Sequence, residues 1–497
     1  DASPRLPMGV AARMSTRPFS RTVLPMGVSV RLREVRTRIG ALSPRLQTAL
    51  LYGPVLVLAS LIRLVNLQSP SVLVFDEVYY VRDAWTLWNL GYEAEWLPTA
   101  DFAGGDVTSF TRVGDFIAHP PLGKWIIGAG MALFGPENPF GWRISTAIAG
   151  IIVVLLVMVI ARRLFNSITA ASVAGFLVAI DGIAITMSRT ALLDGILAMF
   201  ILAAFLAVLR HLDAPGWGGW LLLAGVLLGA ATAVKWSGLF AIAAFGLWVV
   251  AVETVRIRAA HGGKRFVRRS AIAALRSFAL FVPVALIVYV SSWAGWIVSA
   301  GGYLRSWAAD AGSDDGPIGI ARALWKYHRD IYVYNIGLMS PHSYQANPFG
   351  WLAMIRPTAF YYAPTGNDGL VQYVTSIANP VIWWAGALAI VAVVVMVIRK
   401  STWQNMAILV GVAATYVPWL FFSQRTVFQF YTVTLEPFLV LALVAVLVWL
   451  WKQNLRLFVA NYLIVAAVVS AFFLPVWMGL PIPEWFAVIH YWFPSWI

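Results

Sequence analysis

The chain has no cysteine, which excludes disulfides and thiolate metal sites outright. Charge is nearly as scarce: 12% of residues are Asp, Glu, Lys or Arg, where a soluble domain carries about 25%. There is no GxGxxG, no P-loop and no serine nucleophile elbow, so nothing indicates a nucleotide site. The histidines at 119, 211, 261, 328, 342 and 490 form no HxxxH pair, and a metal site therefore has little support. No internal repeat and no low-complexity tract is visible.

What fills the space is hydrocarbon. Hydrophobic residues make up 60% of the chain and mean hydropathy is +0.77. Many runs reach the ~20 residues that a helix needs to cross a bilayer. Lipid offers no partner for backbone N–H and C=O groups, so those runs must be helices. The pattern predicts an all-α polytopic membrane protein with about eleven spans: 49–66, 142–161, 167–187, 193–210, 219–234, 237–253, 275–296, 379–398, 404–423, 431–450 and 456–475. The stretch 219–253 is split at Lys235, because a single helix that long would need extreme tilt.

Charge then sets the orientation. Lys and Arg crowd residues 1–48, Arg162–Arg163, Arg210, the 256–276 connection, Arg399–Lys400 and Lys452 with Arg456. Acidic residues fall mostly on the opposite side, apart from Asp1, Glu34, Asp213 and Glu253. Cytoplasmic loops collect cations, which predicts a cytoplasmic N-terminus and an extracytoplasmic C-terminus. The net charge of +14 is thus an orientation signal, not a nucleic-acid footprint. Residues 1–48 read as a basic, disordered cytoplasmic tail with no signal-peptide core, and 49–497 as one transmembrane domain. Two loops, 67–141 and 297–378, are predicted on the outer face. At roughly 75–80 residues each they are longer than simple connections need, and their Trp and Tyr content argues against disorder. Within the first, residues 119–135 are too short to span and read as a juxtamembrane helix entered through Pro120 and Pro121.

Three features could carry chemistry. Asp76 and Glu77 are adjacent carboxylates just past the first span, fit for a general base, a cation or a hydroxylated ligand; an exposed acidic turn is the plainer alternative. Arg189 and Asp194 lie at the outer junction of the third and fourth spans, where charge is expensive; a snorkelling Arg and a capping Asp would also account for them. Asp181, within the outer part of the third span, reads as structural, with a place in the lining of the same cavity as the alternative. His119, Lys124, Arg143, Lys235, His342 and Arg425 form a cationic set at the same predicted level, suited to a lipid phosphate. A sugar-transferring enzyme without a nucleotide site would have to draw its sugar from such a lipid.

These residues stand in a series of motifs: FDE (75–77), HPPLGKW (119–125), FGWR (140–143), SRTALLDG (188–195), KWSGLF (235–240), PHSYQANPFGW (341–351), IRP (355–357), NPVIWW (379–384), QRTVFQFY (424–431) and FPSWI (493–497). In this order they resemble the protein O-mannosyltransferases, from about residue 50 to the C-terminus. The resemblance implies the GT-C glycosyltransferase fold, with eleven spans and juxtamembrane helices in two long extracytoplasmic loops. It implies inverting transfer of mannose from polyprenyl-phosphate-mannose to Ser and Thr hydroxyls of exported polypeptides, at the outer face of a bacterial plasma membrane. The loop after the seventh span is too short for the MIR domain of eukaryotic members, which is similar to the actinobacterial branch.

By the same resemblance Asp76 is the base and Glu77 orients the base or acceptor. Arg143 and Arg425 lead the phosphate ligands, followed by Lys235, His119, Lys124 and His342. Asp194 orients the first loop or the mannose, with Arg189 in support. No metal or other cofactor is implied. The implied partners are the lipid donor, the exported acceptor and the secretion machinery. Two other readings stay open at this point: a GT-C transferase with a glycolipid acceptor, and a secondary transporter, although transporters show repeated halves and mid-membrane polar sites.

Overall fold

The computed structural model of the protein describes residues 43–214, 216, 218–261, 265–312, 316–366 and 369–497. The predicted basic tail lies outside the described residues as far as residue 42. Helix starts and stops follow local chemistry. α1 spans Pro44–Leu64, earlier than the expected 49. α4, Pro139–Phe165, starts at an Asn138 cap that accepts the Phe140 N–H, with Pro139 in the first turn, and ends at left-handed Asn166. α9, Gly238–His261, and α10, Arg265–Ser292, both run past the predicted hydrophobic edges into basic sequence. No proline or glycine interrupts those extensions.

Between α1 and α4, the first long loop holds α2 (Glu77–Leu90), the antiparallel pair β1 (Ala94–Trp96) and β2 (Phe110–Gly114), and α3 (Leu122–Phe134). α3 begins straight after Pro120-Pro121, where the sequence places it. α5 (Ile168–Ile180) and α6 (Gly182–Arg189) replace the single helix expected at 167–187, with a bend of 60° between them. α7 is Leu193–Asp213, and α8, Gly219–Val234, stops at Lys235. The second long loop holds α11 (Pro317–Gly337) and strands β3 (Ala359–Pro364) and β4 (Leu370–Thr375). α12 (Pro380–Arg399), α13 (Trp403–Thr415), α14 (Glu436–Lys452) and α15 (Arg456–Met478) follow, with 3-10 helices at Val417–Phe422 and Gln429–Thr434. After α15, β5 (Pro481–Pro483) pairs with β4 to complete a sheet ordered β3-β4-β5.

Two expectations change. The chain is mostly helical but not all-α. AFYYAP and LVQYVT are rich in aromatic and β-branched residues, which suit strands. Among the described residues eight helices are long and apolar enough to cross a membrane, or nine if α5 and α6 form one span. The other two expected spans correspond to α8 and α14, which are helical but only 16 and 17 residues long. α8 packs closely on α10 through Gly225 and Gly229. A Cβ on Gly229 would sit 2.5 Å from the Ala285 carbonyl oxygen, so the small residues set the helix spacing.

The α5–α6 bend is a polar joint. Asp181 accepts the Ile183 N–H through Oδ1 and the Asn379 N–H through Oδ2. Asn379 in turn caps α12 and donates to the Ala466 carbonyl and Ser470 Oγ, while Ser470 donates to the Ile180 carbonyl. The Ile183 N–H and the Ile180 carbonyl at the break thereby gain partners, and Asp181 ties the bend to the start of α12. Asn379→Ala leaves buried groups unpaired and should lower stability by about 1–3 kcal/mol. Thermal unfolding in detergent reads this, and an unchanged Tm would mean the joint contributes nothing.

Candidate active site

Asp76 is the N-cap residue of α2, yet its side chain makes no capping hydrogen bond. Asp at this position ordinarily accepts an N–H of the first turn. Backbone carbonyls take its place: the Glu77, Val78 and Tyr79 N–H groups donate to the carbonyls of Val74, Phe75 and Asp76, and the Glu77 side chain fixes the turn that supplies them. Glu77 Oε1 accepts from Arg143 Nε and the Ala191 N–H, both at 2.8 Å. Oε2 accepts from Arg143 Nη2 at 2.8 Å and the Val74 N–H at 2.9 Å. Arg143 also donates Nη1 to the Leu67 and Pro70 carbonyls and Nη2 to the Val72 carbonyl. Its five N–H donors are all committed, and both side chains are 0% exposed.

This corrects two expectations. Arg143 has no donor left for a phosphate, and Glu77 has no lone pair turned toward an acceptor, so of its two expected roles only orienting the Asp76 segment is open to it. Together they pin the 67–77 segment to α4 and to the backbone beside α7. Arg189 completes the anchorage: Nη1 binds the Ile62, Arg63 and Val65 carbonyls and Nη2 the Asn66 carbonyl. A cation on the last carbonyls of α1 favours that helix end. Lys124 is likewise committed, at 2.6 Å from Glu93 and 3.7 Å from Asp83 with 1% exposure, so its charge is balanced away from a phosphate.

The turn that aims Asp76 is strained. Phe75 has φ +49°, unusual for a residue with a Cβ, at a cost of about 1–3 kcal/mol. Its ring stacks on Phe360 of β3 at 5.0 Å and meets Phe428 and Phe430 edge-on at 5.6 and 5.5 Å. These contacts hold the conformation. His342 packs on the same cluster, 6.1 Å from Phe75 and 4.9 Å from Phe428.

Around the free carboxylate the structure gathers several predicted residues. Asp76 is hydrogen-bonded to Tyr80, one helical turn on, and lies within the fields of Lys235 and Asp194. Lys235 Nζ is 3.0 Å from both Asp194 oxygens and 3.8 Å from the centre of the Tyr431 ring. Tyr431 in turn feels Lys235, Asp194, Asp76 and Arg425 together. Arg425 Nη2 donates to Asn335 Oδ1 at 3.2 Å and its Nε has no partner. Asn335 donates to the carbonyl of Ala118, next to His119. His119 lies 6.1 Å from the Tyr80 ring; burial, then Lys235, Lys124 and Arg425, holds it well below the ordinary imidazole range. It is therefore a neutral hydrogen-bonding group at pH 7, not a charge. Burial pushes the Asp76 carboxyl up to about 6, with Lys235 and Tyr80 opposing and Asp194 adding to the rise.

Tyr80, Tyr431 and Asn335 were not singled out in the sequence. Tyr80 had a signal, since a helix starting at Asp76 puts residue 80 over it. Asn335 had none. Among the described residues no three His, Asp or Glu side chains gather where a metal ion could be held.

A family model described as dolichyl-phosphate-mannose-protein mannosyltransferase matches residues 54–299. The polyprenol-phosphate-mannose–protein mannosyltransferase of Mycolicibacterium smegmatis is 31% identical over 88% of this chain and 91% of its own length. The chain belongs to the protein mannosyltransferase family. Within it, the Corynebacterium glutamicum relative of the same name is 28% identical over 88% of this chain and 92% of its own. The mannosyltransferase also has the fold of the S. cerevisiae protein O-mannosyltransferase Pmt1–Pmt2 complex bound to the sugar donor. The TM-score is 0.74 at 15% identity, covering 93% of this chain and 94% of that one. ArnT from Cupriavidus metallidurans, bound to undecaprenyl phosphate, is similar at TM-score 0.51 and 17% identity, covering 87% and 71%. At these identities the likeness is one of fold, the GT-C glycosyltransferase architecture.

Arg143→Ala leaves Glu77 buried without its partner, which should destabilise this mannosyltransferase by about 3–5 kcal/mol. The loss should appear as a lower Tm in detergent. A normal Tm with only weakened donor binding would return Arg143 to the phosphate.

Proposed function

We propose that this chain is an integral membrane glycosyltransferase that moves mannose from polyprenyl-phosphate-mannose to Ser and Thr hydroxyls of exported proteins. Family membership, and the donor and acceptor named for its relatives, support the overall reaction. The observation that carries the site is Asp76: a carboxylate held ready at a helix start, uncapped, beside Lys235 and Asp194.

The chemistry follows from that group. The acceptor hydroxyl attacks the anomeric carbon while Asp76 takes its proton. The bond from that carbon to the phosphate oxygen breaks, and its electron pair leaves with the lipid phosphate. The departing group is already a weak base, so no acid partner is required, unlike the paired carboxylates of glycosidases. One displacement inverts the anomeric centre. Arg425, with an unpaired Nε, is the guanidinium best placed to meet the developing phosphate charge. Lys235, already balanced by Asp194, supports the ionised form of Asp76. His119 and His342 offer hydrogen bonds at the rim. No metal or organic cofactor takes part in this scheme.

Counting α8, α14 and the bent α5–α6 pair as spans gives about eleven crossings, which puts the two ends on opposite sides of the membrane. The distribution of cations supports a cytoplasmic N-terminus and an outer site in a bacterial plasma membrane. There an acceptor emerging from the secretion machinery would meet the donor's head group.

Three expected outcomes follow. Purified protein with polyprenyl-phosphate-mannose and a Ser/Thr-rich peptide should add one hexose mass to the peptide, with or without a chelator. Unmodified peptide with donor bound would point to a glycolipid acceptor, and loss of transfer with the chelator would overturn the metal-free scheme. Because Asp76 must be ionised, kcat/KM should fall about tenfold per pH unit below about 6. An acid limb near pH 4 would contradict the buried setting of Asp76. Arg425→Ala should lower kcat/KM by roughly 100-fold or more, the size of losing one transition-state donor; an unchanged value would move the phosphate site elsewhere.

A further inference from the structure

α11 lies in the second long loop and shows two unlike faces. Gly319, Ala323, Tyr327 and Ile331 are buried at helical spacing. They pack on the end of α10 and the residues after it: Tyr327 meets the Trp293 ring at 5.3 Å, and His328 Nε2 lies 2.8 Å from Tyr289 Oη. The helix is therefore fixed against the C-terminal end of α10, a helix long and apolar enough to cross a membrane. Its opposite face carries Ile318 and Trp325, 67% and 76% exposed. Arg322, Lys326 and Arg329 stand among them around a cleft of about 640 Å³ that Trp307 and Pro317 also line.

Charge on this face is not self-compensated. Lys326 pairs with Asp330 one turn on. Arg322 and Arg329 have no carboxylate partner among the described residues. Three cations within eight positions are also unexpected on a face that the positive-inside rule leaves poor in them. Exposed Trp beside basic side chains, at the end of a spanning helix, is the composition of a surface that seats in an anionic head-group layer.

From this placement we infer that the Ile318–Arg329 face of α11 is a docking surface for anionic phospholipid of the outer leaflet, with the Arg322 and Arg329 guanidinium groups on lipid phosphate and Trp325 among the acyl–head-group boundary. Arginine suits this because its fork matches two phosphate oxygens. The inference rests on the outer-face orientation proposed above. It gives α11, which also carries the Arg425 partner Asn335, a lipid-dependent seat beside the site.

The absence of cysteine makes a direct test available. Full-length Ala321→Cys protein, labelled with an environment-sensitive fluorophore, is placed in nanodiscs of phosphatidylcholine with rising phosphatidylglycerol. The expected result is a blue shift that grows with phosphatidylglycerol and reverses at high salt. Adding Arg322→Gln and Arg329→Gln should raise the phosphatidylglycerol needed for half the shift by about tenfold. An identical response in both lipids, or an unchanged response in the double variant, overturns the inference. So does a shift that appears in lipid-free detergent as protein concentration rises, which assigns the face to contact between copies of the chain. Mannosyl transfer is read in the same discs; its absence with the lipid response intact would strike the enzymatic reading and support this one.

Discussion

The buried pair of Glu77 and Arg143 is the interaction on which the site depends. Alone, neither charge could remain in this interior, and together they are tolerable only because every remaining donor and acceptor is matched. The pair reaches three stretches of chain at once: the turn after α1, the start of α2 and the backbone just before α7. A hydrophobic substitute of the same volume could fill the space but could not hold three backbone strands in register through directed bonds.

Fixing Glu77 has a consequence one residue away. With the 67–77 segment held from both sides, Phe75 can be kept in a left-handed conformation and Asp76 can forgo its capping bond. The aromatic rings from β3 and from Phe428 and Phe430 supply the compensation. The strain thus has a location and a use: it turns the carboxylate away from the helix it would otherwise cap and toward Lys235 and Tyr80. Adjacent acids in the sequence have divided settings, one bonded to saturation and the other left without a capping bond.

Much of the architecture was legible because it is written in local pattern. Hydrophobic runs gave the helices, Lys235 marked the break between α8 and α9, and Pro120-Pro121 marked the entry to α3. The strands were readable in AFYYAP and LVQYVT but were overshadowed by the membrane signal. The bend at Asp181 was hidden because its partner Asn379 lies far along the chain. For the site, the fold brings the motif residues Asp76, Lys235 and Asp194 together and commits Arg143 and Lys124 elsewhere. An arginine near a membrane surface looks like a phosphate ligand until the carbonyls of Leu67, Pro70 and Val72 are seen around it. Backbone carbonyls leave no trace in side-chain identity, so Arg143 could not be told from Arg425 beforehand. Lys124 was opaque for a similar reason, since Glu93 is brought to it only by the fold.

In the proposed reaction Asp76 is the base, while its neighbours, not Asp76, hold the loop together. Asp76→Asn keeps the size and hydrogen-bonding capacity of the side chain and removes only its basicity. Binding of polyprenyl-phosphate-mannose and single-turnover transfer to peptide, measured on the same folded preparation, would separate the two roles. The Tm should be unchanged, donor binding should stay within a few-fold of the parent, which is below about 1 kcal/mol, and no transfer should be detectable. Transfer at the parent rate by that variant would contradict the assignment of Asp76 as base.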